Sequence, residues 1–528
     1  MAKNQMKTVM QGAFVLTLAS FVAKLLSAVY RVPFQNVVGD EGFYVYQQVY
    51  PIYGMAMTLA LSGLPQFISK YIAEKPTLKA QREGMEKLYP LVLWTSVLLW
   101  GATFFGAGAF AYLMGNAQLA VLIRVVSFAF LLVAPLAFYR GNFQGNLQMV
   151  PSAVSQVVEQ LLRVSVILLA AWAFRHFGLS IYQTGTIAML GAVVGGSAAW
   201  LILAHYEKKI HGRTLGLNRL PLFSPQDPDL RRRFLIEGGL LFIYSGLLIL
   251  FQLIDSFVIT NALETYGLTQ QAARIAKGVY DRGQPLVQLG LVAATALSST
   301  FLPALTGYLH QENQRLFRNS AKIYLRLTAS IALAASVGLV LLLPYVNFAL
   351  FKDFSGNETL TLFVFSVFLM GMIQAYQSIA QSKNRFRTSI QAAGLGLLVK
   401  CIATWGLTAL FGTVGASLGT LAGLAIVLQR LIKKEDARLN AFWRERKFGR
   451  TLIFCIGIMI CSILVYYSGV AFLFGNVQHR LQALGISVVG VAIGVVFFIG
   501  SAIRLRLFTV REWLLLPFGK KILRFKRS

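Results

Sequence analysis

Charged side chains stand inside several long apolar stretches of this sequence. They are Lys24 and Arg31 in the first stretch, Asp281 and Arg282 at the start of the eighth, and Lys400 in the eleventh. For Arg31, which precedes Pro33, an interfacial position is the alternative. A charge within a membrane-spanning segment costs at least about 2.5 kcal/mol on insertion scales, so such residues tend to face a partner or a hydrated cavity. Because the excess is positive, these residues predict a binding site for an anion, which arginine can hold bidentately when the anion is a phosphate.

Four further charges are expected to have structural or coupling roles. Glu159 and Arg163 are four residues apart, which places them on one helix face and predicts a structural ion pair in preference to substrate contact. Asp255, in the seventh stretch, is the candidate acid for ion coupling. Arg140 stands in "YRGNFQG" at the exit of the fourth stretch.

The segment "GVYDRGQPL", residues 278–286, places Gly283 and Pro285 where a helix would otherwise continue. Irregular backbone at membrane depth is tolerated only where it lines water or is buried in protein. This predicts that Arg282 faces a lumen; an interfacial anchor at a helix start is the alternative. Four prolines in the second and eighth stretches are candidate bending points or ordinary membrane-helix prolines, namely Pro51, Pro65, Pro285 and Pro303.

The elements that must position these residues are membrane helices. The chain has 528 residues, of which 56% are hydrophobic and 13% charged, with a mean hydropathy of +0.63. Such a composition excludes a soluble multidomain protein. Stretches of about 20 apolar residues predict fourteen spans, at 8–31, 43–69, 89–114, 117–139, 150–174, 182–205, 235–262, 284–307, 320–346, 358–381, 388–411, 413–432, 450–474 and 481–503.

The net charge of +29 comes largely from basic residues in alternate loops between the predicted spans. Lys and Arg are concentrated after the even-numbered spans, whereas intervening loops such as "GDEG" and "KDFSGNET" are short and less basic. The positive-inside bias therefore predicts that both termini are cytoplasmic, and nucleic acid is not an expected partner. The basic tail 504–528, with Trp513 and Phe518, predicts an amphipathic helix on anionic phospholipids; a solvated tail is the alternative.

Two short matches offset by six spans indicate an internal duplication. "ALSGLPQFISKYIAE" at 60–74 resembles "ALSSTFLPALTGYLHQ" at 296–311, and "AFYRGNFQGNLQ" at 137–148 resembles "QAYQSIAQSKNRFR" at 374–387. An even offset preserves direction through the membrane, so the repeats are parallel. The predicted organisation is an N-lobe at 1–206, a basic linker at 207–233, a C-lobe at 234–433, two extra spans within 434–503 and the tail at 504–528.

Motifs of catalysis are missing from the sequence. It contains no phosphate-binding G-x-x-x-x-G-K-[ST] loop, no H-E-x-x-H metal motif and no G-x-S-x-G elbow. We therefore expect neither an enzyme nor a resident metal or cofactor, and expect a membrane potential or ion gradient to drive any transport.

Three motifs carry a family resemblance: "FVAKLLSAVYRVPFQNVVGDEGFYVYQQVYPIY", "YRGNFQGNLQMVPSAVSQVVEQLLRV" and "GVYDRGQPLVQL". In that order, they resemble the SpoVB/YtgP-type polysaccharide exporters and MurJ-like flippases of the multidrug/oligosaccharidyl-lipid/polysaccharide (MOP) exporter superfamily. The resemblance implies an all-α fold of two six-helix lobes working by alternating access, plus two C-terminal helices. The implied location is the bacterial cytoplasmic membrane.

The resemblance also implies a substrate, an undecaprenyl-pyrophosphate-linked glycan such as lipid II, and association with cell-wall synthesis proteins. Cationic residues of the first helix and an Asp-Arg pair of the eighth line the cavity in such flippases, which matches Lys24, Arg31, Asp281 and Arg282. One departure is "YQQVYPIY" in the second helix, which lacks the arginine usual there. Export of another lipid-linked polysaccharide unit, cation-coupled drug export, lipid-linked sugar polymerisation and a scaffold role are the alternatives.

Overall fold

The described part of the chain is helical throughout. The computed structural model describes residues 15–16, 18–23, 25–211, 227–475, 477 and 479–514, and these contain no β-strand. Eleven helices among them are long and apolar enough to cross a membrane. The prediction of an all-α multi-pass membrane protein is therefore confirmed.

The helices divide between two compact units. The first unit comprises Met1–Asp281 with Thr404–Gly412, and the second comprises Arg282–Ala403 with Thr413–Ser528. The helices of the first unit are α1 Arg31–Thr58, α2 Leu64–Ala73, α3 Leu78–Phe105, α4 Ala107–Leu113, α5 Ala120–Leu131, α6 Val133–Gly145, α7 Met149–Phe177, α8 Ile181–His211, α9 Pro228–Arg233, α10 Gly239–Thr265 and α11 Gln270–Asp281.

The first unit begins with a helical hairpin. Described residues of 15–29 are helical and lead into α1, whose backbone turns at Gly39 with φ 74°. A positive φ is readily adopted only by glycine, so Gly39 permits the sharp reversal between the first and second spans. The second arm then continues through a π-helical segment, Leu59–Gly63, into α2.

The second unit contains the remaining helices, except that residues 404–412 of Phe386–Lys434 belong to the first unit. They are α12 Gly283–Gly290, α13 Val292–His310, α14 Gln314–Phe351, α15 Asn357–Val364, α16 Ser366–Ser382, α17 Phe386–Lys434, α18 Ala437–Asn440, α19 Arg446–Phe474, α20 Arg480–Arg504 and α21 Val510–Leu514.

Helix α17 accounts for two of the predicted spans. It has 49 residues, whereas a single bilayer crossing needs about 20. The backbone is non-helical at Phe411 and Gly412, and Gly412 has φ 59°. The helix is therefore two crossings joined at this break, in agreement with the predicted spans 388–411 and 413–432.

The compact units do not coincide with the lobes drawn from the repeat. Residues 234–281 belong to the first unit and residues 434–514 to the second. Within the 207–233 linker, residues 228–233 form α9, and 212–226 lie outside the described residues. The repeat and its lobe boundaries stay predictions.

The tail 504–528 is described only as far as residue 514. There Trp513 is 4% exposed and packs against Phe508 with ring centroids 5.3 Å apart, and Glu512 Oε1 forms an ion pair with Arg326 Nε at 3.1 Å. Trp513 is thus buried in protein instead of facing lipid as expected, because α21 folds back on α14. Phe518 lies outside the described residues, and the phospholipid contact stays a prediction.

Candidate functional site

Four buried tyrosines form a cluster in the first unit: Tyr30, Tyr46, Tyr50 and Tyr53. Tyr46, Tyr50 and Tyr53 follow one another at four- and three-residue spacing on one face of α1, with neighbouring centroids 6.2 and 5.8 Å apart. The hydroxyls of Tyr30 and Tyr46 are 2.9 Å apart and hydrogen-bonded. We call these four residues the tyrosine cluster.

Arg31 reaches the tyrosine cluster from the first span. It is the first residue of α1 and precedes the Gly39 turn by more than two turns of helix. Its side chain is fully buried, with Cζ 4.5 Å from the centroid of the Tyr50 ring. Its Nε, Nη1 and Nη2 atoms make no hydrogen bond of good geometry with the described residues, although the Tyr30 hydroxyl is close enough to interact with the guanidinium. Arg31 is therefore enclosed by protein, and its depth in the membrane stays a prediction.

Arg163 approaches the same rings from α7. Its Cζ is 4.6 Å from the ring centroid of Tyr53, 5.2 Å from that of Tyr30 and 6.0 Å from that of Tyr50. Arg163 Nη2 donates to Ser27 Oγ at 2.9 Å, whereas Nε and Nη1 have no hydrogen-bond partner among the described residues. Only 1% of Arg163 is exposed.

Glu159 forms its ion pair with a different arginine from the one predicted. Arg140 Nη2 donates to Glu159 Oε2 at 2.7 Å, and Arg140 also donates to Ala60 O and Ser155 Oγ. The predicted Glu159–Arg163 pair is wrong, although both residues lie on α7. The Glu159 carboxylate pairs with Arg140 of the neighbouring α6, and the Arg163 guanidinium lies against the tyrosine rings.

The buried acids of the first unit near α11 also have partners. Lys277 Nζ donates to Asp281 Oδ1 at 2.5 Å, and the Tyr280 hydroxyl donates to Asp255 Oδ2 at 3.3 Å. Both lysine and aspartate are almost fully buried, and the i,i+4 spacing within α11 brings them together. Asp281 therefore pairs within its own helix and not with the adjacent arginine.

Arg282 belongs to the second unit, where Asp353 engages it. Nη1 and Nη2 of Arg282 donate to the two carboxylate oxygens of Asp353 at 2.6 and 3.0 Å. Partial burial acts to raise the pKa of Asp353, but the guanidinium and the Ser355 amide lower that pKa overall. The buried arginine predicted to face a lumen is thus held by a carboxylate of the loop after α14.

The helix is interrupted at Arg282, as Gly283 and Pro285 predict: α11 ends at Asp281 and α12 starts at Gly283. Pro285 is the third residue of α12, and Pro65 is the second residue of α2, directly after the π-helical segment. Pro51 and Pro303 lie within α1 and α13. Their role as bending points stays a prediction.

The remaining predicted site residues lie apart from the tyrosine cluster or outside the description. Lys400 is fully buried in the second unit and donates to Thr420 Oγ1 at 2.6 Å. Lys24 lies outside the described residues. Neither their role nor that of the other candidates in substrate binding is tested by these contacts.

Two sets of contacts lie at opposite ends of the second arm of the hairpin, which runs from the Gly39 turn of α1 to the end of α2. Near the Gly39 turn, α11 packs closely, and a Cβ added at Gly278 would stand 2.2 Å from the Asp40 carbonyl oxygen. At the far end Arg233 donates to both carboxylate oxygens of Glu74 at 2.7 and 2.8 Å. The first contact holds this arm against α11, and the second holds it against the end of α9.

Several residues of the site were not anticipated from sequence. Lys277 was missed because α11 is amphipathic and precedes the apolar window that marked the eighth span. Asp353 was missed because a loop acid carries no signal for a partner 71 residues away. The tyrosines had a visible signal, the i, i+4, i+7 spacing on α1.

Known proteins resemble the chain over most of its length. Residues 9–309 match the family described as "Polysaccharide biosynthesis protein". The uncharacterized membrane protein YabM of Bacillus subtilis (strain 168) is 36% identical over 528 residues, covering 98% of this chain and 96% of YabM. The lipid II flippase MurJ of the same strain is 25% identical over 94% of this chain and 95% of its own length.

Solved structures share the fold at low sequence identity. A lipid II flippase MurJ in an inward closed conformation has a TM-score of 0.67, with 12% identity, over 93% of this chain and 99% of that one. An inward-facing MATE family multidrug transporter has a TM-score of 0.61, with 14% identity, over 82% and 99%. These likenesses at 12% and 14% identity show a shared fold, and the matched proteins are themselves a flippase and a multidrug transporter. The chain belongs to the polysaccharide biosynthesis protein family, and its relatives include the lipid II flippase MurJ.

Proposed function

We propose that this protein moves an undecaprenyl-pyrophosphate-linked glycan from the inner to the outer leaflet of the bacterial cytoplasmic membrane, with lipid II as the first candidate substrate. The observation that carries the proposal is Arg31, a fully buried guanidinium whose nitrogens have no hydrogen-bond partner among the described residues. An arginine of this kind suits a phosphate, whose oxygens accept from the guanidinium bidentately.

The proposed mechanism is alternating access. The diphosphate binds at the cationic site, the glycan follows into a hydrated cavity, and the polyprenyl chain stays in lipid. The contacts of Gly278 with Asp40 and of Arg233 with Glu74 flank the second arm of the hairpin. Opening either contact in turn would let the site communicate with one side of the membrane at a time.

The membrane potential supplies a driving force for this direction. With both termini cytoplasmic, as the loop charges predict, outward movement of an anionic head group is favourable in a cell whose interior is negative. The gain is about 2.3 kcal/mol per charge for each 100 mV. No bound cofactor is required, and an ion gradient is the other available source.

A second candidate is cation-coupled drug export, which the MATE-type fold and the buried Asp255 favour. A cationic drug would require a carboxylate that is open to it. Asp255 accepts from Tyr280, and Asp281 pairs with Lys277, whereas both guanidiniums at the tyrosine cluster have unbonded donors. Because the carboxylates have partners and the guanidiniums have unbonded donors, these contacts support an anionic substrate over a cationic one.

Reconstituted liposomes test the proposal. The purified protein is given lipid II, a different undecaprenyl-pyrophosphate-linked glycan and a cationic dye, and movement between leaflets or across the bilayer is measured for each. We expect transfer of at least one lipid-linked glycan, reduced roughly tenfold or more in Arg31→Gln because a charged hydrogen-bond donor is lost. Arg175→Gln makes the same exchange at an exposed position of α7 and should transport normally.

Transport of the dye alone would contradict the proposal. An unchanged rate of glycan transfer in Arg31→Gln would contradict the role of the cationic site. Comparison of the two glycans identifies which one the protein prefers. Transfer of the second glycan without transfer of lipid II would identify the substrate as another lipid-linked polysaccharide unit.

A further inference from the structure

Two buried guanidiniums share one aromatic ring in the first unit. The Cζ atoms of Arg31 and Arg163 are 4.5 and 6.0 Å from the centroid of the Tyr50 ring. The two Cζ atoms are therefore no further apart than the sum of these two distances. Five guanidinium nitrogens in this small region have no hydrogen-bond partner among the described residues: three of Arg31 and two of Arg163.

Fixed partners orient Arg163 toward this region. Ser27 Oγ accepts from Arg163 Nη2 and donates to Gln160 Oε1 at 2.9 Å, and Gln160 Nε2 donates to the Tyr53 hydroxyl at 3.3 Å. These bonds join the first two spans to α7 and hold one edge of the guanidinium. Nε and Nη1, which lie on two different edges of the guanidinium, have no hydrogen-bond partner among the described residues.

Carboxylates do not neutralise the two arginines. Among the described residues none lies within ion-pair distance of Arg31 or Arg163, since Glu159 pairs with Arg140 and Asp281 with Lys277. Asp281 is near enough to Arg31 to interact with it electrostatically, but its own hydrogen bond goes to the lysine. Burying a charge without a hydrogen-bonded counter-ion is strongly unfavourable, so this region is suited to a bound anion.

Arg282, in contrast, already has a counter-ion. Its guanidinium makes two parallel hydrogen bonds to Asp353 within the second unit. An incoming phosphate would have to displace this carboxylate, whereas at the tyrosine cluster the donors are unoccupied by the described part of the protein. The family resemblance pointed to Arg282, but the contacts favour a site that a single compact unit builds.

We propose that Arg163 and Arg31 together form an oxyanion-binding site lined by the tyrosine cluster, and that this site takes the diphosphate of the lipid-linked substrate. The inference rests on the proposed function and adds to it a ligand-binding role for Arg163, which its sequence spacing had marked as structural. A lipid diphosphate is dianionic and has oxygens on two phosphorus atoms, which matches two guanidiniums that share the Tyr50 ring. The tyrosine hydroxyls are further groups that can donate hydrogen bonds to an oxyanion.

Binding to the purified full-length protein tests the inference without requiring transport. The probes are undecaprenyl pyrophosphate, undecaprenyl phosphate and uncharged undecaprenol, and the readouts are isothermal titration and the ligand-induced rise in thermal midpoint. The variants are Arg163→Gln and Arg163→Lys, with Arg175→Gln as the matched control on the same helix.

We expect the pyrophosphate to bind the wild-type protein and Arg175→Gln alike, more tightly than the monophosphate, and undecaprenol to bind most weakly. Arg163→Gln should bind the pyrophosphate about ten- to a hundredfold more weakly, because a charge-assisted bidentate contact is lost. The affinity of Arg163→Lys for the pyrophosphate should lie between those of the wild type and Arg163→Gln, since lysine keeps the positive charge but lacks the planar pair of donors of a guanidinium. Without ligand, Arg163→Gln should melt no lower than the wild type, because an uncompensated buried charge is removed.

Equal pyrophosphate affinity in the wild type and a folded Arg163→Gln would overturn the inference, as would failure of the wild type to bind either charged lipid. A lower midpoint of unliganded Arg163→Gln with unchanged affinity would assign Arg163 a structural role. The proposed function fails separately: liposomes that do not transfer any lipid-linked glycan would refute it even if binding of the pyrophosphate depends on Arg163.

Discussion

The pairing of Glu159 with Arg140 gives a quantitative prediction about stability. The two side chains are 5% and 1% exposed, and their atoms are 2.7 Å apart. Removing one partner of a buried ion pair leaves the other charge uncompensated, which typically costs about 3–5 kcal/mol. Glu159→Gln should lower the free energy of unfolding by about 3 kcal/mol, at the lower end of this range, because the glutamine oxygen can still accept a hydrogen bond from Arg140.

A pair of double-mutant cycles separates the two arginines that could serve Glu159. The first cycle combines Glu159→Gln with Arg140→Gln, and the second combines it with Arg163→Gln. Arg140 should show a coupling free energy of about 2 kcal/mol or more, since the pair is direct. Arg163, which donates to Ser27 instead, should show less than about 1 kcal/mol.

The assay is reversible unfolding of the purified protein in mixed micelles with increasing SDS, followed by far-ultraviolet circular dichroism. Free energies of unfolding are compared for the wild type, the three single variants and the two double variants. A larger coupling for Arg163 than for Arg140 would refute the assignment of the ion pair and restore the one that helical spacing suggested. Equal couplings would show that the carboxylate is shared.

Two further predictions concern the neighbourhood of the break at residue 282. Gly278→Ala should lower the thermal midpoint, because its Cβ would stand 2.2 Å from the Asp40 carbonyl oxygen, and overpacking typically costs about 1–3 kcal/mol; the control Gly307→Ala, with open space around it, should not. Unchanged midpoints in both would contradict the close packing of α11. The lowered pKa of Asp353 means that its pair with Arg282 contributes fully above the ordinary aspartate pKa of about 3.9 and is lost as the pH falls through the lowered value. Midpoints measured from about pH 5 to pH 2 should therefore fall further in the wild type than in Asp353→Asn, and parallel curves would contradict this.

The fold was predictable because each crossing requires a long apolar run, and such runs are visible in sequence without knowledge of their neighbours. Gly283 and Pro285 likewise revealed the interruption beside Arg282, since their effect on backbone geometry is local. The break at Gly412 coincided with the boundary between two predicted spans for the same reason.

The ion-pair partners were not predictable, because sequence spacing identifies only neighbours on the same helix. Lys277 and Asp281 satisfy that rule, and Glu159 and Arg163 satisfy it equally, yet only the first pair forms. The partner of Glu159 comes from another helix. Which of two available partners a buried carboxylate takes depends on tertiary packing, and no local pattern encodes it.

The division between Asp281 and Arg282 has a consequence for how these positions evolve. Although they are consecutive, their counter-charges are Lys277 in one compact unit and Asp353 in the other. A charge reversal across the adjacent pair would therefore not restore either contact. Among relatives of this protein, residue 281 should covary with residue 277 and residue 282 with residue 353, so that the Asp-Arg dipeptide records two independent selective constraints.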